Sequence, residues 1–259
     1  MTKSFWGFAR RWVGRVRAAP RVLLALDFDG TLAPLVDHPS RARMPATLRK
    51  RLGALTDRCD VAVLSGRSLA DVRKRVGVGK VFYGGNHGLE MSGPGFGYVN
   101  PTARRLKRHT GELMRLAQVA FRGVGGVHLE EKGYGLSVHY RRVQPEQMVF
   151  FKTALSTLKR KTHARAFHWT RGHCVWELRP RVRWDKGRAL QKIWRHRGRP
   201  FVMAVGDDAT DEDMFRAAVG RGFAVKVGPE KTRAAYRLSR QGEVLAFLKW
   251  TLELVRRIP

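Results

Sequence analysis

LLALDFDGTLAPL, residues 23–35, carries an apolar run into two carboxylates, Asp27 and Asp29, and then into Gly30 and Thr31. The unbroken apolar stretch Val22 to Leu26 is what a strand buried on both faces requires, and such strands belong to parallel sheets covered by helices. Acidic side chains where such a strand stops either cap a turn or act together on a ligand. In an open α/β sheet, ligands bind outside the carboxyl ends of the strands.

Outward from this stretch, short apolar runs alternate with helical periodicities. Leu48, Leu52 and Leu55 follow Pro45 at helical spacing, Val61 to Leu64 reads as a second strand, Leu69, Val72 and Val76 mark another helix, and Val81 to Tyr83 a third strand. This alternation predicts parallel strands joined by right-handed crossovers. In the middle of the chain the period changes to two. Tyr134, Leu136, Val138 and Tyr140 alternate with smaller or polar residues, as do Cys174, Trp176 and Leu178, beside helical patterns near 106–121 and 146–158. Half-exposed antiparallel strands are expected there. After Lys186 the first style resumes, with a strand at Phe201 to Val205, a helix from Asp211, a strand at Phe223 to Val227, and a closing helix through Val244, Leu248, Leu252 and Val255.

The fold expected is therefore α/β, a Rossmann-like parallel-sheet core with helices on both faces and an inserted α+β cap domain. The expected boundaries are 1–20 for an N-terminal extension, 21–98 and 182–259 for the core, and 99–181 for the insertion. GPGFG, residues 93–97, is expected to form a hinge or tight turn at the first crossing, and Pro180 to Trp184 the second.

The 259 residues carry 51 Lys and Arg against 21 Asp and Glu, a formal charge of +30. That sets up a strong positive field for anionic ligands. The arginines are scattered, and no zinc-finger, homeodomain or RNP-type pattern accompanies them, so specific nucleic-acid recognition is not expected. Cys59 and Cys174 stand far apart within apolar strand-like runs, which suggests small buried hydrophobes and neither a disulfide nor a thiolate metal site. No apolar run approaches the roughly 20 residues that span a bilayer. No signal-peptide pattern is seen, so a cytoplasmic location is the expectation. In residues 1–20, Phe5, Phe8, Trp12 and Val16 recur at helical spacing among Arg10, Arg11, Arg15 and Arg17. Such a basic amphipathic helix suits peripheral contact with an anionic surface or, the preferred reading, folding against the domain.

Four separate segments place chemistry at strand ends: Asp27 and Asp29, then Ser65, then Lys186 opening a helix, then Asp207 with Asp208. Brought together, they offer carboxylates for a hard cation, one of them free to attack, and a lysine and a hydroxyl for a phosphoryl group. The set DFDGT, SGR, KG and GDDATDED, in this order, resembles the four motifs of the haloacid dehalogenase superfamily of phosphotransferases. The resemblance implies that Asp27 attacks phosphorus and becomes an aspartyl-phosphate. Asp29 would protonate the leaving oxygen and then activate water, while Ser65 and Lys186 bind the phosphoryl group. It further implies Mg²⁺ held by Asp27, the backbone carbonyl of Asp29, and Asp207, with Asp208 and Asp211 orienting the metal's waters.

A more particular resemblance spans residue 22 to about 250. LDFDGTLAPL, GGNHGLE, LEEKGYGLSVHYR, VWELRP, DKGRAL and GDDATDEDMF are similar to segments of the trehalose-6-phosphate phosphatases, in which a cap closes over the site. It implies a small-molecule sugar phosphate as substrate. Contacts to it would come from Gly30, Gly66, Arg67, Asn86 and His87 near the phosphoryl group, and from Glu130, Lys132 and Glu177 at the disaccharide hydroxyls; Glu90 would organise its loop. Two rivals stand beside this reading. One is a phosphatase of the same superfamily acting on sucrose 6-phosphate, mannosyl-phosphoglycerate or a hexose phosphate. The other is a basic protein binding nucleic acid or a membrane surface, its phosphatase site vestigial.

Overall fold

The computed structural model describes residues 2–162, 166–172 and 174–255. The chain divides into two compact units, the first made of residues up to Tyr98 and from Trp184 onward, the second of Val99–Arg183.

The first unit is built on strand β1 (Lys3–Ser4), helix α1 (Ala9–Ala18), β2 (Val22–Leu26), α2 (Ala46–Thr56), β3 (Asp60–Leu64), α3 (Leu69–Val76), β4 (Val81–Gly85), β5 (Glu90–Gly93) and β6 (Phe96–Val99). The second holds α4 (Pro101–Leu106), α5 (Thr110–Ala120), β7 (His128–Glu131), β8 (Leu136–His139), α6 (Met148–Lys161), β9 (Phe167–Gly172) and β10 (Val175–Pro180). The chain then completes the first unit with α7 (Lys186–His196), β11 (Phe201–Gly206), α8 (Glu212–Ala218), β12 (Gly222–Val227), β13 (Tyr236–Leu238) and α9 (Val244–Val255).

In the first unit the described strands form one sheet in the order β1-β13-β12-β11-β2-β3-β4-β5-β6. Every pair from β1 to β4 is parallel, and β5 runs antiparallel to β4. All five residues of β2 are buried, as the unbroken apolar run predicts. Alternate residues separate to the two faces: Val22, Leu24 and Leu26 join a core with α1, α2, α3 and α9, while Leu23 and Ala25 pack with α7 and α8. From β2 the chain winds outward through β3 and β4, and after the second unit it returns to wind the other way through β11 and β12. The β2/β11 pair is therefore the point where strand order reverses, and crevices at such points hold ligands.

The second unit is a four-stranded antiparallel sheet, β7-β8-β10-β9, over α5 and α6. Leu136, Val138, Leu178 and Phe167 face the helices. The register aligns Glu130 with Ser137, Ser137 with Glu177, and Glu177 with Thr170 on the opposite, polar face.

Of the two readings of residues 1–20, the preferred one, folding against the domain, is the one observed, while the strand placement of the cysteines is corrected. The N-terminal residues are an integral edge of the first unit: β1 pairs with β13, and Phe5, Ala9, Trp12 and Val16 are buried while Arg10, Arg11, Arg15 and Arg17 face outward. Phe5 precedes the helix and lies within 5.0 Å of the ring centroids of Phe247 and Trp250. The apolar residues that contact with an anionic surface would insert are thus already packed on aromatic rings of the first unit. GPGFG takes the tight-turn form of its expectation, as a hairpin: Gly93 ends β5, Pro94 and Gly95 turn, and Phe96 opens β6. Neither cysteine lies in a strand; Cys59 follows α2, Cys174 sits in a left-handed turn, and both are half-buried. The sequence also hid β1 and β13, which are too short to show a period. Among the described residues no helix is long and apolar enough to cross a membrane.

Phe5→Ala removes a fully buried ring and should cost about 3–5 kcal/mol of unfolding free energy in urea titration. A loss below about 1 kcal/mol would mean that the segment is not part of the core.

Candidate active site

At the carboxyl ends of β2 and β11, Asp27, Asp207 and Asp211 bring carboxylate oxygens within 4.8 Å of one another. Lys186, the first residue of α7, reaches them from the side; its Nζ donates to Asp27 Oδ1 at 2.8 Å and to Asp211 Oδ1 at 2.7 Å. All the partners of these two bonds are buried. Asp185 caps α7 by accepting from the Arg188 amide at 2.8 Å, which fixes where the helix begins and so where Lys186 points.

The loops are shaped to allow this crowding. Gly30 has φ +76°, and a β-carbon there would meet Asp207 Oδ2 at 1.9 Å, so glycine is demanded by both backbone and space. A β-carbon on Gly206 would meet Asp211 Cγ at 2.3 Å. Asp207 is oriented by Thr31 Oγ1, which donates to its Oδ1 at 3.1 Å, while the buried Lys226 donates to its backbone carbonyl. Asp211 Oδ2 accepts the amides of Asp207 and Asp208, each at 3.0 Å.

Two buried carboxylates and the half-buried Asp207, facing one ammonium, leave an excess of negative charge. Burial, and then the Asp211 carboxylate, hold Asp27 well above the usual carboxylate range despite Lys186. The same two causes push Asp207 up to about 7. Burial disfavours the Lys186 ammonium, but the Asp211 and Asp27 carboxylates outweigh it and raise that group further. A cluster of hard oxygen donors with surplus negative charge fits a divalent cation such as Mg²⁺ or Mn²⁺, whose preferred ligands are carboxylates, carbonyls and water.

Other expected residues fall in distinct places. Both oxygens of Asp29 are gripped by Arg67, through Nε to Oδ2 and Nη2 to Oδ1, each at 2.7 Å, and its carboxylate does not join the acidic group. Arg67 is buried and also donates to Asp71 at 2.8 Å and to the Pro39 carbonyl at 2.9 Å. Arg67, expected to contact substrate, thus makes four hydrogen bonds within the first unit, and its planar fork matches the Asp29 carboxylate. Ser65 is buried, and its Oγ accepts the Arg67 amide at 3.1 Å. Gly66 lies against the His87 ring, and His87 adopts a left-handed backbone with its amide on the Ser65 carbonyl. Asn86, likewise expected at the substrate, is buried and donates through Nδ2 to Glu90 Oε1 at 3.0 Å; Glu90 also accepts the Leu69 amide at 2.9 Å. Asp208 is exposed and accepts from Thr210 at 3.4 Å.

In the second unit, Glu130 Oε1 pairs with Lys132 at 2.7 Å and Oε2 with His139 Nε2 at 2.9 Å. Glu177 accepts from Ser137 Oγ at 3.3 Å and from Arg179. Glu130, Lys132 and Glu177 thus sit among His139, Arg179 and Ser137, groups that make directional hydrogen bonds.

Several supports escaped the sequence reading. Lys226 is legible in hindsight as a lysine inside the buried strand FAVKV, and His139 as the polar residue alternating in LSVHY. Nothing local marks Thr31 as the residue that orients Asp207, since they lie 176 positions apart.

The trehalose-phosphatase family model matches residues 25–240. A protein of Mycobacterium tuberculosis described as an uncharacterized glycosyl hydrolase is 35% identical over 247 residues, covering 90% of this chain and 18% of its own length. The trehalose-phosphate phosphatase of Mycobacterium avium is 40% identical over 206 residues, covering 75% of this chain and 50% of its own. The chain thus spans half or less of these two relatives. In fold it is similar to the C-terminal domain of C. albicans trehalose-6-phosphate phosphatase, with TM-score 0.81 and 24% identity, over 98% of each chain.

Burial alone would raise Glu130, yet the His139 bond and the Lys132 ammonium bring its pKa down to about 2 from the ordinary 4.5. A carboxyl depressed in the folded state adds stability above its unfolded pKa and loses it as pH falls toward the folded value. Glu130→Gln should therefore cost about 1–3 kcal/mol at pH 7, a deficit that holds down to about pH 5 and shrinks between about 4.5 and about 2. Urea unfolding across that range measures it, and a deficit independent of pH would refute the pairing.

Proposed function

Because this chain belongs to the trehalose-phosphatase family, we propose that it hydrolyses trehalose 6-phosphate to trehalose and phosphate, using Mg²⁺ and an aspartyl-phosphate formed on Asp27. The observation that carries the reading is the buried Lys186 held between Asp27 and Asp211 beside Asp207. Such a constellation serves phosphoryl transfer better than it serves folding, because gathering three acids, two of them buried, around one buried base costs stability unless a ligand uses them.

In this reading an Asp27 oxygen attacks phosphorus in line, the bond from phosphorus to the sugar oxygen breaks, and that oxygen takes a proton from Asp29. Water then loses a proton to Asp29 and attacks the same phosphorus, which frees Asp27 and releases phosphate. Both Asp29 oxygens lie in the Arg67 fork, so proton transfer requires one of those bonds to open. Lys186 aims Asp27 and brings positive charge to the phosphoryl oxygens, lowering the repulsion between two anions. Mg²⁺ would be held by Asp27, Asp207, Asp211 and the backbone carbonyl of Asp29, and when bound it offsets the remaining charge on the transferring group. Ser65 Oγ and the Gly66 amide are assigned to phosphoryl oxygens; the Gly30 amide, expected to join them, donates to the Ala33 carbonyl at 2.8 Å, so a phosphoryl contact there would have to displace that bond. Glu130, Lys132 and Glu177 are assigned to the sugar hydroxyls, for which their chemistry is suited.

Phosphate release measured over a panel of sugar phosphates tests reaction and substrate together. Trehalose 6-phosphate should exceed sucrose 6-phosphate and glucose 6-phosphate by about tenfold or more in kcat/KM, and a chelator should abolish turnover. Equal rates across the panel would defeat the trehalose assignment. Asp27→Asn should lower kcat by about a thousandfold or more with unchanged circular dichroism. Retained activity would remove Asp27 from the nucleophile's role.

A further inference from the structure

Strand β12 reads GFAVKV, and all of it but the first residue is buried. Val225 and Val227 pack on the face covered by α1 and α9, so Lys226 between them points to the other face, where Ala224 packs with α7 and α8. Lys226 is only 2% exposed there, although burying an ammonium is costly unless it is well paired. Its carboxylate partner is a poor one: Glu230 Oε2 lies 3.8 Å away on a side chain that is 65% exposed. Lys186, by contrast, is gripped by two buried carboxylates at 2.7 and 2.8 Å. The hydrogen bond that Lys226 does make goes to the backbone carbonyl of Asp207. A neutral carbonyl is a weak reason to bury a charge, so the lysine's use lies in the residue that owns the carbonyl.

Asp207 stands just past the end of β11. The ladder between β11 and β12 runs from Val202↔Gly222 to Gly206↔Lys226, one residue short of it. The Lys226 side chain bridges that step and ties the first loop residue back to the sheet. Asp207 is thereby held at three points: its amide donates to Asp211 Oδ2 at 3.0 Å, its Oδ1 accepts from Thr31 at 3.1 Å, and its carbonyl accepts from Lys226. Thr31 and Asp211 reach it from loops, and Asp211 is itself a member of the acidic cluster. Of the three supports, Lys226 is the one anchored in a strand.

Charge and position give opposite expectations for this lysine. As a charge, an ammonium beside a group of carboxylates repels an incoming cation, so its removal would tighten cation binding. As a tether, it fixes a residue whose carboxylate must face the cation, so its removal would loosen binding. Groups that orient a metal's ligands typically change affinity by about 10–100-fold, whereas a charge that hydrogen-bonds a carbonyl instead of the carboxylates acts on the cation from farther off. We propose that Lys226 is a positioning residue for Asp207 and strengthens divalent-cation binding at the acidic cluster in spite of its own positive charge. The inference rests on the reading of Asp27, Asp207 and Asp211 as a cation site.

The test is calorimetric titration of the intact protein with Mn²⁺, beside turnover of trehalose 6-phosphate at limiting and saturating Mn²⁺. Lys226→Met keeps an unbranched stem and loses the donor. Its Kd for Mn²⁺ should rise about fivefold or more, while kcat at saturating Mn²⁺ stays within about threefold of the parent, because a general distortion of the site would lower kcat however much metal is supplied. Lys226→Leu, of different shape, is held to the same expectation, and the comparison is read from whichever of the two melts within about 5 °C of the parent. Lys226→Arg, which keeps charge and donors, and Glu230→Gln should both bind Mn²⁺ within about threefold of the parent. Unchanged or tighter binding by the apolar variants would overturn the proposal, as would a kcat that stays low at saturating metal. Failure of both to fold would also overturn it, since the lysine would then serve the fold and not the cation. A parent that takes up no Mn²⁺ would remove the cation site and this inference with it, whereas a parent that binds beside a variant that binds as well would remove this inference alone.

Discussion

The ammonium of Lys186, sealed from water between Asp27 and Asp211, is the contact on which the arrangement depends. Without it, three carboxylates would crowd a site of low dielectric with nothing to hold them ionised. With it they remain one charge or more in excess, which is an unstable balance for a folded core and a useful one for a site that must receive a cation and a phosphoryl group. The two-glycine relief at Gly30 and Gly206 has the same origin, since any β-carbon there would push Asp207 or Asp211 out of the cluster.

These groups stand at the ends of regular elements. Asp27 and Asp207 extend from neighbouring parallel strands whose register fixes them side by side, with the Asp27 amide on the Val205 carbonyl at 3.0 Å. Lys186 and Asp211 come from helical starts that pack on one face of that sheet. Arg67 plays a comparable part for Asp29, and it is itself fixed by Asp71, which also pairs with Arg75 one helical turn on. Burial opposes the ionised form of Asp71, yet bonds from Arg75 and Arg67 outweigh it and hold its carboxyl below the ordinary range. The resulting chain of charged groups runs from α3 to the mouth of the site.

Charge is used differently around the molecule. At the carboxyl ends of the strands acids outnumber bases, despite a chain with 51 Lys and Arg against 21 Asp and Glu. At the amino ends arginines line a cavity with no acid. On the polar face of the second unit's sheet the signs alternate, with Glu130 between Lys132 and His139 and Glu177 beside Arg179. A net charge by itself predicts none of these three patterns.

The sequence alone determined the strands and helices that bear the site, because an unbroken apolar run such as Val22–Leu26 can be buried on both faces only in a covered parallel sheet, and because the order of DFDGT, SGR, KG and GDDATDED is legible without coordinates. It also determined that Asp27, Lys186 and Asp207 belong together. Tertiary structure decided the rest. That Phe5 and Trp12 face aromatic rings of β12, β13 and α9 instead of a membrane depends on partners more than 200 residues away. That Arg67 serves Asp29, and that Asp211 stands inside the acidic cluster, follow from side-chain reach across folded loops. A periodic pattern records which face of an element is apolar, but not which side chain of another element it will meet, since that is set by the packing of distant segments.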